Sequence, residues 1–325
     1  MHRLKTLASS LWVKLGLSVA LLAMLFHETD VGELASAFSR TDANWMFVAF
    51  FGYVISQVIS ALRWCLLARP LGFAESFGRF LTCYFSGMYL NLFAPSTVAG
   101  DIGRALFLAR GKRRALAFTS VLADRGLGFV ALVWVGVAAI IVFRDYPLPA
   151  VLYWSAVLIA PATVLAWVWG PRLALPLLPA GSRRRAFVER DLKPYRENPR
   201  VLVMSLLIAV LFHTVQIATQ IAIGLALGLH VPWSYFFIFV PIVNLAGMLP
   251  VTFSGIGIRE AGYVYFLSLI GIGREAAIAL GLLSSAVVLI SGLTGGPVFL
   301  LLDRHPPAPV DEEIERVQAL EIGAD

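Results

Sequence analysis

The sequence is poor in charge and in cysteine. Of its 325 residues only 14% are Asp, Glu, Lys or Arg, whereas 59% are hydrophobic and the mean hydropathy is +0.80. A soluble domain of this size could not bury so much apolar surface in one core. The two cysteines, Cys65 and Cys83, make neither a disulfide framework nor a metal-ligand spacing. The composition therefore argues against a soluble enzyme and favours a chain in contact with lipid.

Two further absences and the distribution of the basic residues narrow the functional classes. The five histidines are scattered, so no metal site is predicted. No GxxxxGK[ST] sequence is present, so the chain has no nucleotide-binding loop of its own. The net charge of +6 would suit nucleic acid, but the basic residues lie in short loops between apolar runs, where orientation in a membrane explains them. We predict no cofactor, no metal and no nucleic-acid partner.

Long uncharged runs are what the sequence has instead. A helix needs about 20 residues to cross the hydrocarbon core of a bilayer. In Leu7–Phe26, Lys14 lies where it can reach the head groups, and an uncleaved anchor is favoured over a signal peptide because no A-x-A site follows before the acidic stretch Glu28–Glu33. The fold class predicted is an all-α polytopic membrane protein with about six spanning helices. These are Leu7–Phe26, Trp45–Leu62, Gly126–Phe143, Ala150–Gly170, Val201–Leu229 and Ala276–Leu302.

Charges beside the apolar runs predict how the chain is oriented. Basic residues flank the stretch Phe80–Gly100 on both sides, so it should enter and leave on the cytoplasmic face as a re-entrant hairpin. Breaks in that stretch are expected at Pro95, Gly100 and Gly103. The stretch Tyr235–Ile272 should be a second re-entrant hairpin, open to the outside. Both termini are predicted to be cytoplasmic.

The domain organisation predicted is one membrane domain over residues 1–310, followed by a polar cytoplasmic tail at 311–325. Within the domain, one repeat covers about 45–143 and a second about 201–302. A span and a basic loop at 144–200 link them. In that loop Ala186–Leu192 could be a short helix on the membrane surface or part of a solvated connector.

One short element occurs twice at an offset of 155 residues. Its copies are Pro95-x4-Gly100-x3-Arg104 and Pro250-x4-Gly255-x3-Arg259. An asparagine precedes each copy, Asn91 in the first and Asn244 in the second, with a spacing that differs by two residues. The predicted directions of the surrounding spans are opposite in the two halves. Together these features predict an inverted-topology repeat with two broken hairpins.

A broken helix inside a membrane suits an anionic ligand. Its exposed backbone N–H groups hold negative charge, and an adjacent arginine offers a fork of donors that matches phosphate. Gly100, Gly255 and Gly257 would let such a ligand approach the backbone closely. Two tips that enter from opposite faces would meet near the bilayer centre, which is where transporters bind substrate. The pattern therefore predicts a site for an amphiphile with a phosphate head group.

Ionisable residues at membrane depth are costly and by default indicate function. We predict that Arg104 and Arg259 contact the substrate head group. The residues expected around them are Asp101, Glu260, Asn91 and Asn244 together with the glycines of the repeat.

Asp124 and Arg125 form a third charged set, which could either support the site or form structural ion pairs that pin the hairpins to neighbouring helices. A polar path could be lined by Arg63, His213 and the three glutamines Gln57, Gln216 and Gln220, although plain interhelical hydrogen bonds explain these residues as well.

At these residues the sequence resembles the flippase-like membrane domain of the lysylphosphatidylglycerol synthases and its stand-alone relatives. The resemblance covers about residues 10–302 and rests on three stretches: Asn91 to Arg104, Asp124-Arg125, and Pro250 to Glu260. It implies lipid translocation, or other handling of lipid-linked substrates, in a bacterial or archaeal plasma membrane. Two departures are Asp101, where the family more often has glutamate, and Ser284–Ser285, where many relatives carry a charge.

Three functions are compatible with these features. The first is a flippase for a phospholipid, a glycolipid or an isoprenoid-linked lipid, and the second is a secondary transporter of a small anion. The third, a membrane transferase acting on a lipid-linked sugar, needs an acidic base on a sizeable outer loop, and the predicted outer loops are short. The synthases carry a soluble aminoacyl-transferring domain after the membrane part, whereas only 23 residues follow Leu302 here. We therefore expect a transporter and no enzyme, and lipid aminoacylation would need a separate lipid-modifying enzyme as a partner.

Overall fold

Helix is the form in which an apolar chain satisfies its own backbone hydrogen bonds without water. The computed structural model of this chain follows that rule, and the part it describes contains helices and no strand. The residues described are 16–27, 29–93, 98–109, 113–177, 179, 185, 187–248, 255 and 257–303. The predictions made for Pro95, Pro250 and the tail 311–325 lie outside these residues.

The helices are numbered here in chain order. The first half of the chain contains α1 (Gly16–His27), α2 (Val31–Ser39), α3 (Ala43–Ala68), α4 (Phe77–Leu92), α5 (Val98–Leu108), α6 (Arg114–Val142) and α7 (Ala150–Leu177). A π-helical turn at Phe187–Asp191 leads into the second half. That half contains α8 (Lys193–Glu197), α9 (Pro199–Ala226), α10 (Trp233–Gly247), α11 (Ile258–Ser268), α12 (Arg274–Leu293) and α13 (Gly295–Asp303).

In the part of the chain that the structure describes, four helical stretches are long and apolar enough to cross a membrane. They are Ala43–Leu71, Arg114–Val142, Pro199–Ala226 and Arg274–Leu300. Shorter apolar helices cover Gly16–His27, Ala150–Thr163 and Trp233–Gly247. The predicted all-α polytopic class is confirmed. Of the predicted first span, only the part from Gly16 onward lies among the described residues.

Short polar side chains fix where several helices begin. Asp30 accepts hydrogen bonds from the backbone N–H groups of Gly32 and Glu33 at 2.7 and 3.2 Å, and α2 begins directly after it. Asp42 does the same for α3 by accepting from the N–H of Asn44 at 2.7 Å. Such caps satisfy backbone donors that the first helical turn leaves without partners, and their negative charge complements the helix dipole.

One order of helices occurs twice. A long helix, two short ones and another long one follow each other as α3–α4–α5–α6 and again as α9–α10–α11–α12. The equivalent helices α3 and α9 pack against each other in opposite directions: Asp42 lies at Ala226, and further along the pair Ser56 lies at Gln216. Equivalent elements that run antiparallel are the geometry of an inverted-topology repeat, as the charge pattern predicts.

Contacts between the halves are reciprocal. Helix α6 packs on α10, where a Cβ on Gly136 would lie 3.1 Å from Pro241, and the equivalent helix α12 packs on α4, where Gly292 meets Leu92. In the same way α6 contacts α9 while α12 contacts α3. Each of these contacts has a counterpart with the two halves exchanged, which indicates a two-fold pseudosymmetry axis through the α3–α9 pair.

The first hairpin is closed by glycine rather than broken by it. Gly100 and Gly103, expected to interrupt the chain, lie inside α5. A Cβ on Gly87 of α4 would come within 2.7 Å of the Gly100 carbonyl oxygen, and one on Gly103 within 2.5 Å of Leu90. The expectation of a break at these two glycines is therefore wrong. Their lack of a side chain lets α4 and α5 approach closely.

In the second hairpin, glycine serves the turn itself. Gly255 and Gly257 have φ values of +80° and +89°, a backbone conformation that favours glycine, and α11 begins directly after them. A Cβ on Gly255 would lie 2.8 Å from the Gly247 carbonyl oxygen, so the arms of this hairpin also meet glycine against glycine.

We expect Gly87→Ala to destabilise the protein by about 1–3 kcal/mol, because the added methyl group meets backbone that cannot move without separating α4 from α5. The melting temperature of the purified protein in detergent measures this. Gly126→Ala is the matched control, since a Cβ at Gly126 in α6 meets nothing within 4 Å. Equal melting temperatures for the two variants would contradict the close approach of the hairpin arms.

Candidate functional site

A cavity of about 260 Å³ lies beside the first hairpin. Helices α3, α4, α5, α6 and α9 all contribute to its wall. The polar and charged residues that line it are Tyr53, Gln57, Ser60, Arg63, Tyr84, Asn91, Asp101, Arg104, Asp124, Arg125 and His213. Most of the residues predicted for the first copy of the repeat are therefore brought together, and Arg63 and Asp124 join them from neighbouring helices.

Alternating charges form a chain across this first cavity. One carboxylate oxygen of Asp124 lies 2.7 Å from Arg63 Nε, and the other lies 3.0 Å from Arg104 Nη1. Arg104 also pairs with Asp101 at 3.1 Å, and Asp101 pairs in turn with Arg125. These ion pairs connect α3 and α6 to α5, the second arm of the hairpin. Along the chain of charges the residues follow in the order Arg63, Asp124, Arg104, Asp101 and Arg125.

The position of Arg104 is fixed on every side. Its side chain is only 6% exposed, it contacts two carboxylates, and its guanidinium carbon lies 4.9 and 5.1 Å from the ring centroids of Trp64 and Tyr84. Cation–π contact of this kind adds to the ion pairs. Arg104 is therefore neutralised by the protein before any ligand arrives.

Two of the charged sets expected from the sequence are paired differently in space. Asp124 and Arg125, adjacent in the chain, do not pair with each other, because neighbouring residues of a helix point in different directions. Asp124 instead faces Arg63, which is 61 positions away in sequence. Asp101 and Arg104, three positions apart on α5, do pair with each other at 3.1 Å.

A second cavity, of about 250 Å³, lies beside the second hairpin. Its polar lining consists of Tyr53, Asn91, Gln216, Gln220, Asn244, Arg259, Tyr263, Ser284 and Ser285. Three residues, Tyr53, Met88 and Asn91, line both cavities. The two copies of the repeat thus build two adjoining cavities, and the asparagine of the first copy stands between them, where its Oδ1 accepts from the Gly100 N–H at 2.7 Å.

Arg259 differs from its counterpart Arg104 in what surrounds it. Among the described residues, no carboxylate oxygen lies within 4.0 Å of its guanidinium, whereas Arg104 pairs with two carboxylates. The Nε atoms of both arginines are buried without a hydrogen-bond partner. Gly247 makes room for the side chain, since a Cβ there would lie 2.9 Å from Arg259 Nε. The lining of this cavity therefore holds a positive charge with no carboxylate beside it.

Glu260, the adjacent residue, is engaged elsewhere. Its side chain is buried, one carboxylate oxygen accepts from the Gly257 N–H at 2.7 Å, and the other accepts from the Ser285 hydroxyl at 3.3 Å. The bond from Gly257 is one half of a capping box, in which the glutamate at the third helical position accepts from the N-cap backbone N–H, and it closes the start of α11. Arg259 and Glu260 are therefore not an ion pair, and Glu260 holds the helix that carries Arg259.

The other polar side chains that line the second cavity are uncharged among the described residues. The Ser284 hydroxyl donates to Gln220 Oε1 at 2.6 Å, and Gln216 Nε2 donates to the Ser56 hydroxyl at 3.3 Å. Amide and hydroxyl groups of this kind offer both donors and acceptors to a ligand. Gln216, expected to support the site, does line this cavity.

The sequence matches a known family over most of its length. The family model of the lysylphosphatidylglycerol synthase TM region covers residues 11–296. This chain belongs to that family. A similar protein is a UPF0104 membrane protein of Methanocaldococcus jannaschii, 23% identical over 130 residues. That match covers 39% of this chain and 38% of the relative's own length. Membership of this family, with the four long apolar helices, makes the chain a multi-pass membrane protein related to lipid handling.

Several residues of the site are not predicted from the sequence. Tyr53 has no charge to mark it, although it recurs on the same face of α3 as Gln57. Gly87 and Gly247 precede the two repeat copies at different spacings, so the fixed offset misses them. Ser284 and Ser285, identified from the sequence only as departures from the family's charge, line the second cavity.

Asp124→Asn should destabilise the protein strongly, by about 3–5 kcal/mol, because it leaves Arg63 and Arg104 buried without a full countercharge. Thermal unfolding in detergent measures the change. Glu33→Gln is the matched control, since Glu33 is exposed on α2 and makes no ion pair among the described residues. If the two amide variants had the same melting temperature, the chain of ion pairs would not be what holds α5 against α3 and α6.

Proposed function

We propose that this chain moves a lipid with an anionic head group across the plasma membrane of a prokaryote. The candidate lipids are a phospholipid, a glycolipid or an isoprenoid-linked lipid. One observation carries the proposal: the inverted halves build two polar cavities at the depth of apolar helices, and the cavities adjoin at Tyr53, Met88 and Asn91. A head group could pass from one cavity to the next while the two hairpins alternate in exposure.

The charge of the cavities supports an anionic head group. Polar groups buried in a membrane are costly, and those kept there mark ligand pathways. The second cavity contains Arg259 without a carboxylate beside it, so a phosphate can make charge-assisted hydrogen bonds with its guanidinium. In the first cavity an arriving phosphate would compete with Asp101 and Asp124 for Arg104.

Apolar clefts outside the cavities support a lipid rather than a free anion. One cleft of about 460 Å³ is lined almost wholly by apolar residues of α3 and α12, among them Phe50 and Val287. A second, of about 410 Å³, shares Phe50 and continues between α3, α4 and the start of α13. The same helices α3 and α12 supply Tyr53 and Ser284 to the second cavity. Acyl chains could therefore stay in lipid while the head group enters the protein.

A secondary transporter of a small anion is the second candidate. The volume of each cavity, about 250 to 260 Å³, would also suit a small solute. We propose further that the chain is a transporter and no enzyme, that its partners are membrane lipids, and that both termini are cytoplasmic, as the basic residues between the spans indicate. A separate lipid-modifying enzyme is a further proposed partner.

Reconstitution into proteoliposomes tests the proposal. We expect the protein to move a head-group-labelled anionic phospholipid between leaflets, and Arg259→Gln to slow this movement about tenfold or more, the effect of losing a charge-assisted hydrogen bond. Accessibility of the labelled head group to a membrane-impermeant quencher measures the rate.

The controls for this experiment separate translocation from leakage and unfolding. Arg144→Gln makes the same chemical change on an exposed arginine in the short loop after α6 and should leave the rate unchanged. Equal rates in vesicles with and without the protein would overturn the proposed function. Equal rates for the wild type and Arg259→Gln would contradict the proposed role of Arg259 in binding the head group.

A further inference from the structure

We propose that the pathway selects lipids of net negative charge and rejects head groups that carry an ammonium, because the described lining of its two cavities contains no carboxylate that is not already paired with arginine. This inference rests on the proposed function and adds a substrate class to it. An ammonium group is strongly hydrated and loses that hydration in a buried site unless a carboxylate or several acceptors replace it. Selection against an ammonium therefore depends on whether the acidic residues near the two cavities already have partners.

The first cavity contains two carboxylates and three arginines. Both oxygens of Asp124 are taken by Arg63 and Arg104, and Asp101 lies between Arg104 and Arg125. The described lining of this cavity thus has a formal charge of +1, and both of its carboxylates are already paired. An ammonium could bind there only by displacing an arginine, which would leave that arginine unpaired.

The second cavity contains one arginine and no lining carboxylate among the described residues. Glu260 lies behind the wall, with both oxygens bound to Gly257 and Ser285, and breaking these bonds would uncap α11. Arg259 again gives the lining a formal charge of +1. Its remaining polar side chains are amides and hydroxyls, which cannot supply a countercharge.

Both cavities therefore favour the same head groups. A phosphate esterified to glycerol or to a sugar carries one negative charge, which offsets the charge of Arg259, and its hydroxyl groups match the amides and hydroxyls around it. A phosphate esterified to an amino alcohol carries the same negative charge, but it also brings an ammonium that finds no available carboxylate in the described lining of the cavities. The expected discrimination arises mainly from the rejected group, which is a common way to reach specificity.

Binding of short-chain lipids to the purified full-length protein tests this selectivity. Dihexanoyl phosphatidylglycerol and dihexanoyl phosphatidylethanolamine differ in the ammonium and share the phosphate and the chains. We expect the first to bind about tenfold more tightly or better. Arg259→Gln should remove this preference, and Arg144→Gln should keep it. Equal affinities of the wild-type protein for the two lipids would overturn the proposal.

A carboxylate placed in the second cavity should reverse the preference. Gln220→Glu suits this purpose because its side chain keeps the oxygen that accepts from Ser284 at 2.6 Å and adds a negative charge at nearly constant shape. We expect this variant to bind phosphatidylglycerol about tenfold more weakly and phosphatidylethanolamine more tightly. Asn244→Asp, on the opposite wall, is the second variant should the first not fold. An unchanged preference in a folded variant would place selection outside this cavity and overturn the inference.

Two further measurements separate the inference from the function beneath it. Glycerol 3-phosphate supplies the head group without chains: if it competes as strongly as the short-chain lipid, the site is one for a soluble anion and the lipid class proposed here is wrong. Transport of the two lipids in proteoliposomes is scored independently. Selective binding without translocation would contradict the proposed flippase function but support the selectivity. Translocation of both lipids at equal rates would support the flippase function but contradict the selectivity.

Discussion

The shared carboxylate of Asp124 is the interaction on which the first half of the site depends. It lies on α6, it is 2% exposed, and it holds one arginine from α3 and one from the hairpin. Without it, Arg63 and Arg104 would be buried side by side with only Asp101 to offset them, in surroundings where charge is poorly screened. The place of α5, and with it the wall of the first cavity, follows from this one side chain.

The two halves share a backbone plan and differ in how charge is distributed on it. Arg104 and Arg259 occupy equivalent places in the repeat, yet the long helix that packs behind each hairpin presents Asp124 in the first half and Ser284 and Ser285 in the second. The serines reach Gln220 and Glu260 rather than the arginine. A sequence repeat thus fixes where the arginines lie, while the neighbouring helix decides whether each is neutralised.

Much of the fold could be predicted from the sequence because its signals are local or regular. Apolar length predicts the long helices, the fixed offset finds the repeat, and the loop charges give equivalent spans opposite directions, which the antiparallel α3–α9 pair confirms. The partners of the charges could not be predicted, since Arg63 and Asp124 meet across 61 positions. One missed feature was readable: Gly257-Ile-Arg-Glu260 has the spacing of a capping box, which marks Glu260 as a helix cap rather than a partner of Arg259.

An arginine without a carboxylate beside it is an expensive feature inside a membrane, and its cost bears on how tightly a head group can bind. Arg259 lines a cavity, so water can solvate part of its guanidinium when no ligand is present, although its Nε stays buried without a partner. An anionic head group that enters must displace that water, so it gains only the difference between two solvated states. Under the proposed function, this predicts moderate affinity together with strong discrimination against cations. A protein that releases its lipid on the other side needs both properties, and we propose that Arg259, which has no carboxylate beside it among the described residues, provides them next to the ion-paired Arg104.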